Sequence, residues 1–320
     1  MNQTLLLIFC LVLFCIELLY FRLATQFNIV DKPNHRSSHN MVTIRGGGII
    51  FALSVLLQPL FFKFGYPYFL SGLLIVTFIS FMDDLSPVSN KLRLLVHLVC
   101  VGLMFYEAEL FQLPIYWLIL ALFFVIGTIN AINFMDGING ITGVYSLVLL
   151  LTLFYINYIE HFIVQELLIV VIISLLVFLF FNFRTKAKCF AGDAGSVGIA
   201  FIIAFLLLKL VIKTENLNYI LLLLVYGLDT TTTIIFRIIR KERVFEPHRS
   251  HFYQFWANER KGSHLIISSL YALVQLAINA LVIRFLPPSF FGLCIALFSS
   301  ALIFLVIRFS TEGYVKLLGE

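Results

Sequence analysis

Apolar residues run through this chain in long blocks, and the polar ones gather in short segments between them. A hydrocarbon core about 30 Å thick takes about 20 mostly apolar residues per helical span. On that measure the pattern predicts helices over 4–24, 46–63, 67–83, 92–107, 114–134, 142–159, 164–182, 197–213, 218–236, 264–284 and 289–308. The expected fold is an all-α integral membrane protein, a polytopic bundle of about 11 (10–11) transmembrane helices, the range reflecting spans that run short. An odd number of spans puts the termini on opposite sides. No linker, internal repeat or low-complexity tract interrupts the pattern, so residues 1–320 read as a single membrane domain.

Composition agrees. With 61% hydrophobic and 12% charged residues and a mean hydropathy of +1.02, soluble globular classes are excluded. The first span lacks a preceding Lys or Arg, carries a long apolar run from Leu5 to Leu19, and precedes no small-residue cleavage site. It reads as a retained helix, not a signal peptide. Glu17 within it is expected to lean towards the interface near Arg22. Cys10, Cys15, Cys100, Cys189 and Cys294 form no CxxC pattern and read as small buried hydrophobes.

Charge sets the orientation. With the N-terminus outside, eighteen Lys and Arg fall in inside segments and four outside. The C-terminus and the polar loops then face the cytoplasm, and the net charge of +5 is a membrane-surface signature; no soluble basic domain supports nucleic-acid binding.

Ionisable groups at membrane depth are costly and usually functional. Asp83, Asp84, Asp136, Asp193 and Asp229 all fall at the same end of their spans, most of them among Gly, Asn and Ser. That predicts an active site at the cytoplasmic face. Loop one, 31–49, joins basic residues, two His and two Ser to Gly46-Gly47-Gly48. Glycines at a helix start suit either a phosphate cradle or tight helix packing. In NAINFMDGING, Asn130, Asn133 and Asp136 form one polar stripe of hard oxygen donors, the kind Mg²⁺ takes. In FAGDAGS, a turn into a helix offers backbone amides to phosphate and Asp193 to a metal, with Phe190 placed to stack on a base. In PHRSHFYQ, His248, Arg249 and His251 suit the clamping of a diphosphate, with the two His one turn apart if the loop is helical. Metal, basic groups and carboxylates together are the parts of a phosphoryl-transfer site.

In their order, DKPNHRSSH…RGGG, the acidic pair at 83–84 followed by Lys91, NAINFMDGING, AKCFAGDAGS and PHRSHFYQ resemble the polyprenyl-phosphate N-acetylhexosamine-1-phosphate transferase superfamily. The resemblance covers essentially the whole chain. It implies transfer of an N-acetylhexosamine-1-phosphate from a UDP-sugar to undecaprenyl phosphate, with release of UMP, in a bacterial inner membrane. The product would start O-antigen or related glycan synthesis. It also implies Mg²⁺, for which Mn²⁺ substitutes. By motif, Asn133 and Asp193 match the metal ligands, and Asp83 and Asp84, with Asp136 and Asp193, the catalytic acids. Gly137, Asn139 and Phe190 match the nucleotide site. Lys91, His248, Arg249 and His251 match groups on substrate phosphates. The expected partners are undecaprenyl phosphate, a UDP-N-acetylhexosamine and the lipid bilayer, and a homodimer is compatible.

The chain departs from the pattern in a proline-free segment 183–188, so no nucleotide contact is carried over to Asn182. It also shows His-Arg-Ser-His where the lipid I enzyme has consecutive histidines, which favours the branch using simple N-acetylated sugars. A secondary transporter or lipid flippase is the competing class, but midplane sites and inverted repeats are its hallmarks, and the polar residues here cluster at one face.

Overall fold

The computed structural model describes residues 3–32, 41–243 and 248–319. The loop-one residues Pro33, His35, Arg36, Ser37, Ser38 and His39 lie outside them. The chain is helical almost throughout: α1 (Gln3–Gln26), α2 (Ile49–Phe61), α3 (Pro67–Leu85), α4 (Asn90–Glu107), α5 (Ile115–Met135), α6 (Ile141–Glu160), α7 (Gln165–Asn182) and α8 (Gly192–Thr214). A 3₁₀ turn, Leu217–Leu223, leads into α9 (Leu224–Ile239), and the short α10 (Phe252–Gln254) continues as a π turn, Phe255–Glu259. Then come α11 (His264–Phe285), α12 (Phe290–Glu312) and α13 (Tyr314–Leu318).

All eleven predicted spans are helical, and nine, among the described residues, are long and apolar enough to cross a membrane. The other two are α2 and α4. At 13 residues α2 reaches about 20 Å at 1.5 Å per residue, short of the hydrocarbon thickness. In α4, Lys91, Arg93 and His97 interrupt the apolar run. The protein is thus a multi-pass, all-α membrane protein.

The centre of the bundle is α8, apolar and buried on nearly every side and packed against α2, α3, α5 and α6. A helix that is apolar all round belongs in such a place. Close approach is built in: a Cβ on Gly48 would sit 2.5 Å from Gly195 Cα, and one on Gly195 equally close to Gly48 Cα. The glycine run therefore serves tight packing. Its amides are also spent on the protein, Gly47 N–H donating to Phe190 O (2.9 Å) and Gly48 N–H to Ala191 O (3.1 Å), which corrects the phosphate-cradle reading of that loop.

A small antiparallel pair, β1 (Val30–Asp31) and β2 (Thr43–Ile44), adds a parallel bridge from Ile44 to Cys189. These contacts fix Thr43 and Ile44 against the entrance to α8. Behind them Glu17 is fully buried, its Oε1 3.8 Å from Cys189 Sγ. That overturns its expected place at the interface: α1 turns this face inward, with Phe9, Leu13 and Ala24.

The ninth span breaks between its 3₁₀ and α segments. Gln275 of α11 mends the break, accepting from Val225 N–H (2.9 Å) and donating to Leu221 O (3.0 Å). Irregular backbone at membrane depth survives only with such partners.

Candidate active site

The acidic pair ends α3. Adjacent helical residues point about 100° apart, and the two carboxylates do diverge. Asp83 accepts from Val88 N–H and from Arg93 of α4, both at 2.7 Å. Arg93 makes this bridge, while Lys91, two residues earlier, is exposed at the start of α4.

Asp84 turns the other way, its side chain fully buried. It accepts from Asp193 N–H (2.9 Å) and Ala194 N–H (3.0 Å), the first amides of α8, and pairs with Arg45 Nε at 2.7 Å. A helix N-terminus attracts anions. Here the anion is the protein's own, so those amides do not wait for a phosphate, contrary to the sequence expectation. Gly192, at φ +69°, makes the fit possible, since a Cβ there would lie 2.6 Å from Asp84 Oδ2.

That arrangement points Asp193 at the space between two cations. Arg45 and Arg93 each approach its carboxylate to 3.9 Å, and its side chain stays 22% exposed. From the facing end of α5, Asn133 accepts from Ser196 Oγ at 2.6 Å, one turn after Asp193. Asn130 does not join it. Two steps of three residues fall 120° short of two full turns, and Asn130 bonds Ile126 O and lines a cavity between α5 and α9. Asp136 follows the end of α5. Burial, with the Asp84 charge adding to it, pushes its carboxyl up to about 6.

The histidine loop is anchored to the same end of α5. Tyr253 O–H donates to Phe134 O (3.2 Å), and the Phe134 ring lies 6.2 Å from that of His248 and 6.4 Å from that of His251. The two imidazoles are 5.0 Å apart. They meet across an extended segment, not across a helical turn, because α10 starts only at Phe252 and His251 is its cap.

Asp229 of α9 holds this loop. Fully buried, it accepts from Phe252 N–H (2.9 Å), Tyr253 N–H (3.3 Å) and Tyr271 O–H (2.7 Å), and lies 3.3 Å from His251 Nδ1. A carboxylate on Nδ1 fixes the tautomer and leaves Nε2 for chemistry. That Nε2 is buried without a protein partner among the described residues. His248 Nδ1 meets Arg237 at 2.7 Å, and Arg249 reaches Asn258 Oδ1 at 3.3 Å.

On the nucleotide side, Phe190 is half-buried beside Cys189, and Gly137 is exposed under Tyr253, whose hydroxyl occupies the space a Cβ would need. Asn139 is buried, and its amide donates to Arg184 O (2.8 Å) and Thr185 O (3.2 Å). It clamps the proline-free segment. Asn182, which carried no prediction, bridges Gly140 N–H and Cys189 O, both at 2.8 Å.

The residues sequence reasoning missed are Arg45, Arg93, Ser196 and the anchoring role of Asp229. Only the position of Arg45 next to the glycine run gave any signal. For a divalent cation the donors are hard oxygens, Asp193 and Asn133, and the Asp193 carboxylate also abuts that of Asp83. Among the described residues no group of three or more His, Cys, Asp or Glu forms a closed metal cage. Two protein oxygens suit Mg²⁺, which binds through one or two carboxylates and leaves its other positions to water and phosphate. The site fits such an ion.

Carboxylates, an amide and two arginines at one end of an apolar helical bundle, beside a carboxylate-held histidine, define a membrane-embedded phosphate-handling enzyme. Residues 66–211 match the model of glycosyl transferase family 4. The chain is also similar to a probable undecaprenyl-phosphate N-acetylglucosaminyl 1-phosphate transferase of Bacillus subtilis (strain 168), 28% identical over 256 residues, covering 72% of this chain and 70% of that protein. Both matches support the polyprenyl-phosphate hexosamine-1-phosphate transferase superfamily for this chain and indicate a sugar-phosphate transferase.

Proposed function

We propose that this protein transfers an N-acetylhexosamine-1-phosphate from a UDP-sugar to undecaprenyl phosphate at the cytoplasmic face of a bacterial inner membrane. The observation that carries the reading is the Asp193 carboxylate, left between Arg45 and Arg93 while its neighbours Asp83 and Asp84 are already paired. The relative from Bacillus subtilis supports the choice of lipid and an amino-sugar nucleotide. A cavity of about 660 Å³ between α5, α9 and α12, lined mostly by apolar side chains such as Phe123, Leu224 and Leu297, gives a polyprenyl chain a path towards Phe134 and the histidines.

In this reaction a phosphate oxygen of the lipid attacks the β-phosphorus of the UDP-sugar. The bond from that phosphorus to the bridging oxygen breaks, and UMP leaves with the electron pair. A phosphate monoester with a second pKa near 6 is largely dianionic at pH 7, so little proton transfer is needed. Asp136 takes the proton that remains. Arg45, Arg93 and His251 face the oxygens on which charge builds, which is where most phosphoryl-transfer catalysis arises. Asp193 and Asn133 would hold Mg²⁺, which when bound neutralises phosphate charge and aligns the diphosphate.

Purified protein, Mg²⁺ and undecaprenyl phosphate, offered a panel of UDP-N-acetylhexosamines, tests the reading. UMP release with at least one sugar, dependent on the lipid, is expected. Release with none would overturn it.

A further inference from the structure

The last long helix is almost wholly lipid-facing: α12 buries only Leu293 and Arg308. Arg308 is the largest fully buried side chain among the described residues. A guanidinium at membrane depth is expensive unless every donor finds a partner. Glu312, one turn on, supplies the counter-charge through Nε (2.5 Å) and Nη2 (3.2 Å). Neutralisation would be complete with that pair alone. The remaining donors go elsewhere: Nη1 reaches Thr232 Oγ1 (3.0 Å) and Thr233 Oγ1 (2.9 Å) of α9, and Nη2 reaches Ser250 O (3.1 Å).

Both routes lead to one imidazole. Ser250 immediately precedes His251. Thr233 Oγ1, accepting from Arg308, can donate to Asp229 Oδ1 at 3.3 Å, the oxygen that faces His251 Nδ1. The guanidinium also lies 5.1 Å from the centre of the Phe236 ring and 5.9 Å from that of Phe252, the residue after His251. We propose that Arg308 is a positioning residue: α12 carries its guanidinium in from the lipid side to hold Ser250 and the Thr233–Asp229 pair, and so fixes where His251 presents Nε2. Its effect on transfer rests on the function proposed above; its effect on the loop does not.

A helix merely docked by this arginine would give a different result, and Leu293→Ala serves as the comparison. Leu293 packs with Leu221, Leu224 and Val282, in a cluster separate from the main core. Full-length Arg308→Gln, Arg308→Lys and Leu293→Ala would be compared in detergent by amide hydrogen exchange and by UMP release. Arg308→Gln is expected to speed exchange at 250–255 by about tenfold with α6–α8 unchanged, Arg308→Lys to do so less, and Leu293→Ala not at all. It should lower kcat about tenfold with the UDP-sugar KM little changed, and cost less than about twofold further in a His251→Ala background. Unchanged exchange at 250–255, full multiplication of the two effects on kcat, or loss of folded protein in both Arg308 variants would each overturn the proposal. If the native protein released no UMP, the function would fall, and the exchange data alone would decide whether Arg308 holds the loop.

Discussion

Asp84→Asn tests how far the site depends on one buried carboxylate. Asp84 makes three charge-assisted contacts, two to the first amides of α8 and one to Arg45. Asparagine keeps one acceptor oxygen and places an NH₂ where the other accepted, so a donor faces a donor. A lost hydrogen bond to a charged group costs about 1.5–3 kcal/mol, and leaving one partner of a buried pair alone about 3–5 kcal/mol. Arg45 is 36% exposed and can turn to water, so the lower end applies. The expected loss is about 3 kcal/mol of stability. Function should suffer more, because Asp193 stands on the turn those amides begin, and an error of about 1 Å in a reacting group can cost about a hundredfold in rate. Gly192→Ala should reproduce the effect without touching a charge, by driving a Cβ against Asp84 Oδ2 at a positive φ. The assays are the unfolding midpoint in detergent and lipid-dependent UMP release at equal folded protein. Asp84→Asn with a native midpoint and more than about a third of native turnover would refute this account of the α3–α8 junction.

Three further outcomes follow from the geometry. The Asp136 carboxyl is pushed up to about 6, close to the second pKa of the lipid phosphate, so the rate should fall as pH drops through about 6; Asp136→Asn should lower the rate most near and below that pH, where the phosphate still carries its proton, and little at higher pH, and an unchanged profile would exclude Asp136 as the proton acceptor. His251→Ala should lower kcat by about two orders of magnitude with little change in the UDP-sugar KM, whereas a raised KM at native kcat would make the loop a capture device only. With the native cysteines replaced, an impermeant maleimide applied to intact cells should label a cysteine at exposed position 63 and miss one at exposed position 260; the reverse would invert the orientation.

Much of this was legible in the sequence because membranes impose a simple grammar. Each run of about twenty apolar residues became a helix, and α2 and α4 fell short for reasons visible in their length and charge. Asp83 and Asp84 at the end of α3 do meet Asp193 at the start of α8, and Asp136 just after α5 feels the Asp84 charge, whereas Asp229 lies inside α9 and holds the histidine loop. What stayed hidden was pairing across the chain. Arg45 and Asp84 are 39 positions apart, Asp229 and His251 are 22 apart, and no periodicity connects either pair. Of the two readings open for Gly46-Gly47-Gly48, tight packing holds, and the amides of both glycine motifs turn inward for a related reason. A sequence shows amides at a helix start but not their acceptors, and the fold supplies these as Asp84, Phe190 O and Ala191 O. Glu17 was misplaced because an apolar α1 gives no sign of which face turns inward.

The central claim is that the bond broken lies between the two phosphates of a UDP-sugar, in a site built on Asp193. A UDP-N-acetylhexosamine that is turned over, carrying radiolabel on its β-phosphorus, tests that directly when incubated with purified protein, Mg²⁺ and undecaprenyl phosphate. The label should pass into the lipid phase while unlabelled UMP appears in the water, and Asp193→Asn, folded and inserted as the native protein is, should give neither. Label left in the aqueous phase as UDP would mean transfer of the sugar without its phosphate, and full activity in Asp193→Asn would mean the wrong site; either would contradict the account.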